Sequence, residues 1–446
     1  MEKIDGFIFP VTGRFSVYTG MMKEDFLSYI WKFQLIRNGL TTQEGETVEV
    51  IKAGLQNPDS GPDFMHAMIR IGNTLWAGSV EIHVKASDWF RHGHQDDPAY
   101  LGVILHVVYE ADKPVMRAGG ELLPTLLLKE QFDPGLFAKY EDFLSSRKWI
   151  PCADQLHQIP LTLQKTYLSA LAIERIESRS GLIDKLLESN HGDFEETVHQ
   201  VFARGFGLVI NTEPFEQLAR ILPFGLCRRY KDQALALEAL ALGQAGFLRP
   251  GFQDPYPARL WTEYQYLMNK HQLKPMDTDQ WKFLRIRPTG FPTVRLLHWV
   301  ALLRGRHSLV TEILQERELQ TVMNLLHNTI DPYWDTHFIP DRPALRGGSN
   351  PGEGFIRVWI INALVPMLIF YGRHKDRQDR VDMALSIMES FPPEQNKILA
   401  AWEEHGLKAV NALEGQGLIY LKKGYCDEKR CLSCSFGNYL LRNVNI

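Results

Sequence analysis

Asp63 and Glu81 stand inside the run SGPDFMHAMIRIGNTLWAGSVEIHVKASDWFRHGH (60–94), the densest stretch of potential chemistry in the chain. Side chains on a strand alternate faces, so Glu81, His83 and Lys85 point one way and Val80, Ile82 and Val84 the other. A two-strand unit that sets Asp63 beside Glu81 makes a small acidic pocket with His83 and Lys85 on the same wall. Oxygen ligands of this kind suit a hard cation, Mg²⁺ or Mn²⁺. The plainer reading has Asp63 capping a turn and Glu81 pairing with Lys85 across a solvated strand face.

Histidines crowd the same stretch. His92, Gly93, His94 and Asp97 form an H-x-H-x-x-D run. With His83 and His106 they offer zinc or another transition metal a ligand set, the chemistry of a histidine-ligated hydrolase. The alternative makes His106, within VILHVVY, a satisfied core histidine, and gives His92 and His94 to substrate contact or to support of the pocket. Tyr100 either hydrogen-bonds a phosphate or packs under the sheet.

A third cluster lies near the C-terminus, Cys426-x4-Cys431-x2-Cys434. Three thiolates so spaced need a fourth ligand to hold zinc or an iron–sulfur cluster. Cys152, in WIPC, is the first choice, with Cys227 and His405 as substitutes. The role would be structural, tying the tail back to the first domain. Arg285, Arg287 and Arg295 in RIRPTGFPTVR suit a phosphate groove, with Arg228, Arg229 and Lys231 as a second patch. Charge runs of this size are more often solvated or internally paired.

The elements that must position these groups follow from periodicity. Residues 1–21 read as an N-terminal arm. Glu24–Ile36 is helical, with Phe26, Tyr29, Ile30 and Phe33 at helical spacing and Gly39 as its stop. Thr47–Gly54 alternates as a strand. Phe64–Ile71 and Leu75–Lys85 form a hairpin about Gly72-Asn73. Val103–Tyr109 is a continuous apolar strand, and Pro124–Lys129 one more. The segment 88–100 is polar and partly helical. Beyond Phe132 amphipathic helices dominate. The expected architecture is α+β: an α/β domain with a mixed sheet at 22–132, a large all-α domain at 133–420, and a cysteine-bearing tail at 421–446.

The bulk numbers agree. The chain has 446 residues, 45% hydrophobic and 23% charged, which suits two or three globular domains. A net charge of −4 argues against wholesale electrostatic binding to nucleic acid but leaves a local basic groove open. EKIDGFIFPVTGRF lacks the pattern of a secretory signal. Val358–Tyr371 falls short of the ~20 residues a membrane span needs and reads as a buried helix. Five cysteines, three of them clustered, fit metal binding in a reducing cytoplasm better than a disulfide framework.

The motifs GPDF (61–64), LWAGSVEIH (75–83), SDW (87–89), HGH (92–94), VILHVVYEAD (103–112), EALALGQAGFL (238–248), RPTGFPTVR (287–295) and YCDEKRCLSC (425–434) resemble a bacterial family catalogued as domain of unknown function 2851. That resemblance carries no activity. The order helix, three strands, helix, strand, with PD at 62–63 and E-I-H at 81–83, more distantly resembles the PD-(D/E)XK nuclease superfamily. It implies Mg²⁺-dependent cleavage of phosphodiester bonds in DNA or RNA, with Asp63 and Glu81 holding the metal. His83 stands where that pattern has lysine, and Lys85 is the substitute on the same face. His83 or Lys85 would orient the attacking water. An acidic residue from the first helix appears in parts of that superfamily, and Glu24 is the candidate here. Some nucleases of this kind carry a [4Fe–4S] cluster on one remote and three clustered cysteines, which sets iron–sulfur beside zinc for the tail. The rival reading is a binding module that keeps the fold without the chemistry.

Overall fold

The first helix, α1 (Glu24–Lys32), is enclosed nearly all round: Phe26, Leu27, Tyr29, Ile30 and Trp31 are all buried. Phe26 packs within 5.0–5.6 Å of the rings of Phe132, Phe137 and Tyr140. The Trp31 indole N–H donates to the Ala53 carbonyl at 3.0 Å. The helix ends earlier than its periodicity predicts, because Phe33 leaves helical geometry and Gln34 turns to φ 50°. This computed structural model describes residues 22–443 except 118, 285, 328, 346 and 349. The arm read at 1–21 and Arg285 lie outside the described residues.

A mixed sheet follows. Its strands are β1 (Leu40–Thr41), β2 (Thr47–Lys52), β3 (Leu55–Gln56), β4 (Phe64–Ile71), β5 (Thr74–Lys85), β6 (Val103–Glu110) and β7 (Thr125–Leu127). The path runs β1-β2-β4-β5-β6-β7, with β3 paired to β4. From β1 to β5 the pairing is antiparallel, and β5-β6-β7 is parallel. The crossover from β5 to β6 carries α2 (Asp88–Arg91) and two short 3-10 turns, His94–Asp96 and Pro98–Tyr100. Thr42 and Leu126 form an isolated bridge, so β1 and β7 meet. β1 and β3 are too short to carry a periodic signal and escape a reading of the sequence.

The β6 run from Val103 to Tyr109 is buried throughout, as a strand flanked by parallel neighbours should be. Its register sets Glu81 opposite His106 and His83 opposite Val108. Gly78 makes this pairing possible. A Cβ there would lie 2.4 Å from Ile104 Cγ2 and 2.6 Å from the Gly102 carbonyl oxygen.

The chain divides into two units: residues up to Ile159 together with those from Tyr425 onward, and Pro160–Gly424. This differs from the expected boundaries at 132 and 420. The helix α3 (Pro134–Ser145) stays with the first unit, because Phe137 and Tyr140 complete the packing around Phe26. The C-terminal helix Ser435–Arg442 joins the same unit, since the Lys139 ammonium donates to the Leu440 carbonyl at 2.7 Å.

The second unit is helical, from α4 (Leu161–Ser189) and α5 (Phe194–Phe206) onward. Its core holds Trp299, Trp334, Trp359, Phe202 and Phe215, all essentially buried. Every residue of Pro292–Leu303 is buried. The segment Glu353–His374 has the length and apolarity to cross a membrane, and 78% of its most apolar window is buried inside the protein. Pro366 lacks an amide donor, and the preceding turn, Ile360–Leu364, widens to π-helix.

Replacing Gly78 with valine forces β5 and β6 apart. Thermal unfolding of Gly78→Val should show a loss of about 1–3 kcal/mol, the usual cost of overpacking; an unchanged midpoint would contradict the close approach at Ile104.

Candidate metal centre

Asp63 and Glu81 hold each other across the β4–β5 pair. The Asp63 amide donates to Glu81 Oε2 at 3.1 Å, and the Ile82 amide donates to Asp63 Oδ2 at 2.9 Å. Local structure aims Asp63 at this spot. Asn57 Nδ2 donates to the Ser60 and Pro62 carbonyls, and the Asn57 amide donates to the Asp63 carbonyl at 2.8 Å. A bulge follows at once: Phe64 pairs with Val80 but Ala67 with Gly78, and His66 takes up the extra residue at φ 60°. Bulges of this kind re-aim side chains beside functional sites.

Glu24, the first residue of α1, joins these two carboxyls. Burial raises its pKa most, the Asp88 charge adds to this, and His92 and the Val84 amide oppose it. Its charge in turn raises both Asp63 and Glu81. Burial pushes Asp63 up to about 6. Burial, then the Asp63 charge, pushes Glu81 up to about 9. Three carboxyls in one poorly solvated place disfavour their own ionisation unless a cation compensates.

The histidines converge on the same glutamate. Glu81 Oε1 lies 3.4 Å from His83 Nε2 and 3.2 Å from His94 Nε2. His94 Nε2 is buried and out of line for a hydrogen bond with that oxygen. His92 Nδ1 lies 3.2 Å from His83 Nε2. One nitrogen from each of His83, His92 and His94 falls within 4.8 Å of the others. Gly93, at φ 76°, turns the chain sharply between His92 and His94. His94 stacks on Tyr100, centroids 3.7 Å apart at 19°, and meets the edge of Trp89.

His106 sits behind His83. Its Nε2 lies 2.8 Å from His83 Nδ1, inside the sheet. Burial and neighbouring imidazoles lower His83 to about 2, and burial lowers His106 to about 3. Both rings are neutral near pH 7. His106 therefore braces His83 and leaves Nε2 of His83 facing Glu81.

Several expected residues stand elsewhere. Lys85 is half exposed and reaches Glu110 Oε2 at 3.7 Å, because the parallel register sets these two residues side by side. The structure does not bring it to the carboxyls. Tyr100 supports His94 instead of facing open solvent. Asp97 caps the turn at Ala99 and is not among the converging groups. Arg287 is exposed and belongs to the helical unit, not to the unit that carries the carboxyls. Arg295, in the same helical unit, is buried with its guanidinium 3.4 Å from the Phe355 ring centre, so it lines no surface groove.

Cys152 is buried, and burial pushes its thiol up to about 12 with further push from Cys434 and Cys431. Cys431 rises to about 12 for the same reasons, burial first and Cys434 second. These three thiols therefore share one buried place. Cys434 precedes the C-terminal helix, and its amide donates to the Cys431 carbonyl at 3.3 Å. Cys426 is partly exposed, two turns earlier. Cys227 is buried in the helical unit beside the Leu222 carbonyl, and His405 Nδ1 faces the Ala401 carbonyl there. Neither belongs to the unit of the tail.

The molecule is thus a mixed α/β protein with a carboxyl–histidine centre on its sheet and a large helical part. It belongs to the family described as Protein of unknown function (DUF2851), whose model matches residues 24–397. The match opens on Glu24 and takes in every carboxyl and histidine of the centre; the clustered cysteines lie beyond it. No curated protein and no solved structure matches the chain.

A raised carboxyl fixes the sign of a pH effect. Glu81 ordinarily titrates near 4.5 and rises to about 9 in the fold. The stability it lends is complete below about 4.5 and is lost as pH climbs through 9. In chelator, the thermal midpoint should fall over that window and Glu81→Gln should flatten the fall. Equal slopes in both proteins would show that Glu81 is not the strained group.

Proposed function

We propose that this protein is a metal-dependent phosphodiesterase acting on DNA or RNA, built on a core like that of the PD-(D/E)XK nucleases. One observation carries the reading. Glu24, Asp63 and Glu81 come from the first helix and two neighbouring strands of a helix, antiparallel strands, short helix, parallel strand succession, and their charges meet at one partly buried place, with Glu81 the buried member.

The residues fit a hard cation. Asp63 and Glu81 each give one oxygen to a backbone amide and keep the other for an ion. A Mg²⁺ or Mn²⁺ ion held there supplies positive charge to a phosphate and makes water more acidic. The two amide bonds keep the carboxyls in place before substrate arrives. Partial burial limits the water that competes for them. Neither His83 nor Lys85 takes the part of a lysine beside these carboxyls: His83 is braced by His106, and Lys85 is drawn to Glu110.

We also propose that Cys152, Cys426, Cys431 and Cys434 hold a structural zinc ion or [4Fe–4S] cluster. The support is the buried neighbourhood of Cys152, Cys431 and Cys434, a donor set that burial alone keeps protonated and a bound metal would ionise. Cys434→Ser should release the metal and leave the chain after Tyr425 open to limited proteolysis. A brown protein means iron–sulfur and a colourless one zinc. Unaltered metal content in Cys434→Ser would reject the assignment.

Cleavage of plasmid and oligonucleotide substrates in Mg²⁺ or Mn²⁺ tests the main reading. Asp63→Asn and Glu81→Gln should each slow it by at least about 100-fold, since a catalytic metal contributes several kcal/mol. Equal rates in all three proteins would reject Asp63 and Glu81 as the site, and no cleavage by the wild type would turn the reading toward a non-catalytic module that binds nucleic acid or protein.

A further inference from the structure

We infer that Glu81, His83, His92 and His94 form a binding site for a transition-metal ion of the zinc class that adjoins the acidic pocket and shares Glu81 Oε1 with it. Tetrahedral ligands at zinc distances of 2.0–2.1 Å stand about 3.3 Å from one another. The pairs His94 Nε2–Glu81 Oε1, His83 Nε2–Glu81 Oε1 and His83 Nε2–His92 Nδ1 measure 3.2, 3.4 and 3.2 Å. Three of the six ligand pairs are therefore already at the spacing an ion requires, and the three imidazole nitrogens all lie within 4.8 Å of one another.

A second, independent observation points the same way. The His94 side chain is nine-tenths buried and its Nε2 has no hydrogen-bond partner, though it lies against the Glu81 oxygen. A buried imidazole nitrogen left so is costly unless something else satisfies it. An ion between His94 and Glu81 satisfies both. The three imidazole donors favour zinc-class ions over magnesium.

The surroundings support a ligand role. His106 Nε2 stands 2.8 Å from His83 Nδ1 and offers a partner for a proton on that nitrogen, the tautomer that leaves His83 Nε2 for metal. Tyr100 fixes the plane of His94 by stacking. His92 is exposed, so the site opens to solvent at one corner, where substrate can enter.

This site also answers the missing lysine. His83 occupies the position where the nuclease pattern puts a fixed positive charge. An ion bound through that imidazole restores the charge at the same place. That role rests on the phosphodiesterase reading above; the binding site itself does not.

The test uses the full chain, stripped with chelator and dialysed against Zn²⁺. X-ray absorption separates zinc bound by nitrogen and oxygen from zinc bound by cysteine sulfur. The wild type should hold one equivalent in a nitrogen–oxygen environment. His94→Ala and His92→Ala should each lose it and keep any sulfur-bound metal. His92 is exposed, so the second variant reads binding without disturbing the core. His106→Ala should weaken the site roughly 10–100-fold. Equal nitrogen-bound zinc in wild type and both variants, or sulfur-bound zinc only, overturns the inference. Nitrogen-bound zinc without nucleic-acid cleavage upholds the site and removes the phosphodiesterase reading. Cleavage in Mg²⁺ without nitrogen-bound zinc does the reverse.

Discussion

The reciprocal hold between Asp63 and Glu81 is the constraint on which the centre depends. Each carboxylate takes an amide proton from the strand that carries the other. Neither can move without releasing a buried amide, which is expensive. The hairpin therefore fixes the separation of the two acids, and the bulge at His66 lets β4 deliver Asp63 without breaking the ladder. Glu24 adds a third carboxyl from α1, whose enclosure by aromatic rings leaves it little freedom.

Collecting three acids in a partly buried place works against stability. The protein meets this by crowding neutral imidazoles around the same glutamate. His83 and His106 are too buried to carry charge near neutral pH, so they offer lone pairs and not cations. The centre is thus short of positive charge and rich in ligand atoms. That imbalance distinguishes it from a salt-bridged core, where arginine or lysine would stand among the acids. Lys85 and Arg91 are near in sequence but reach Glu110 and Asp88.

Away from the centre, the first unit is finished by chain from its two ends. α3 and the C-terminal helix pack onto the core that α1 begins, and Cys152 meets Cys431 and Cys434 there. The family match takes in Cys152 and stops before Cys431 and Cys434, yet the cysteine tail is part of the same folded unit. Separation along the chain says little about such a neighbourhood, since closing a longer loop costs only slowly more entropy.

Much of this was legible in the sequence. Period-two alternation located β4 and β5, an apolar run located β6, and Gly72-Asn73 located the turn, because these depend on neighbours along the chain. The same alternation put Glu81 and His83 on one face. The spacing of the tail cysteines drew notice to Cys431 and Cys434, and the WIPC segment offered Cys152, which lies near both. Other features depend on contacts the chain order does not encode. The parallel register of β5 and β6 drew Lys85 to Glu110 and set His106 behind His83. The fold of α3 onto Phe26 moved the domain boundary to Ile159. Glu24 gained its importance only when α1 docked, and His92 and His94 only when Gly93 turned one toward His83 and the other toward Glu81. Local periodicity is written in single residues; which long-range partners meet is decided by packing, and that is where the centre was made.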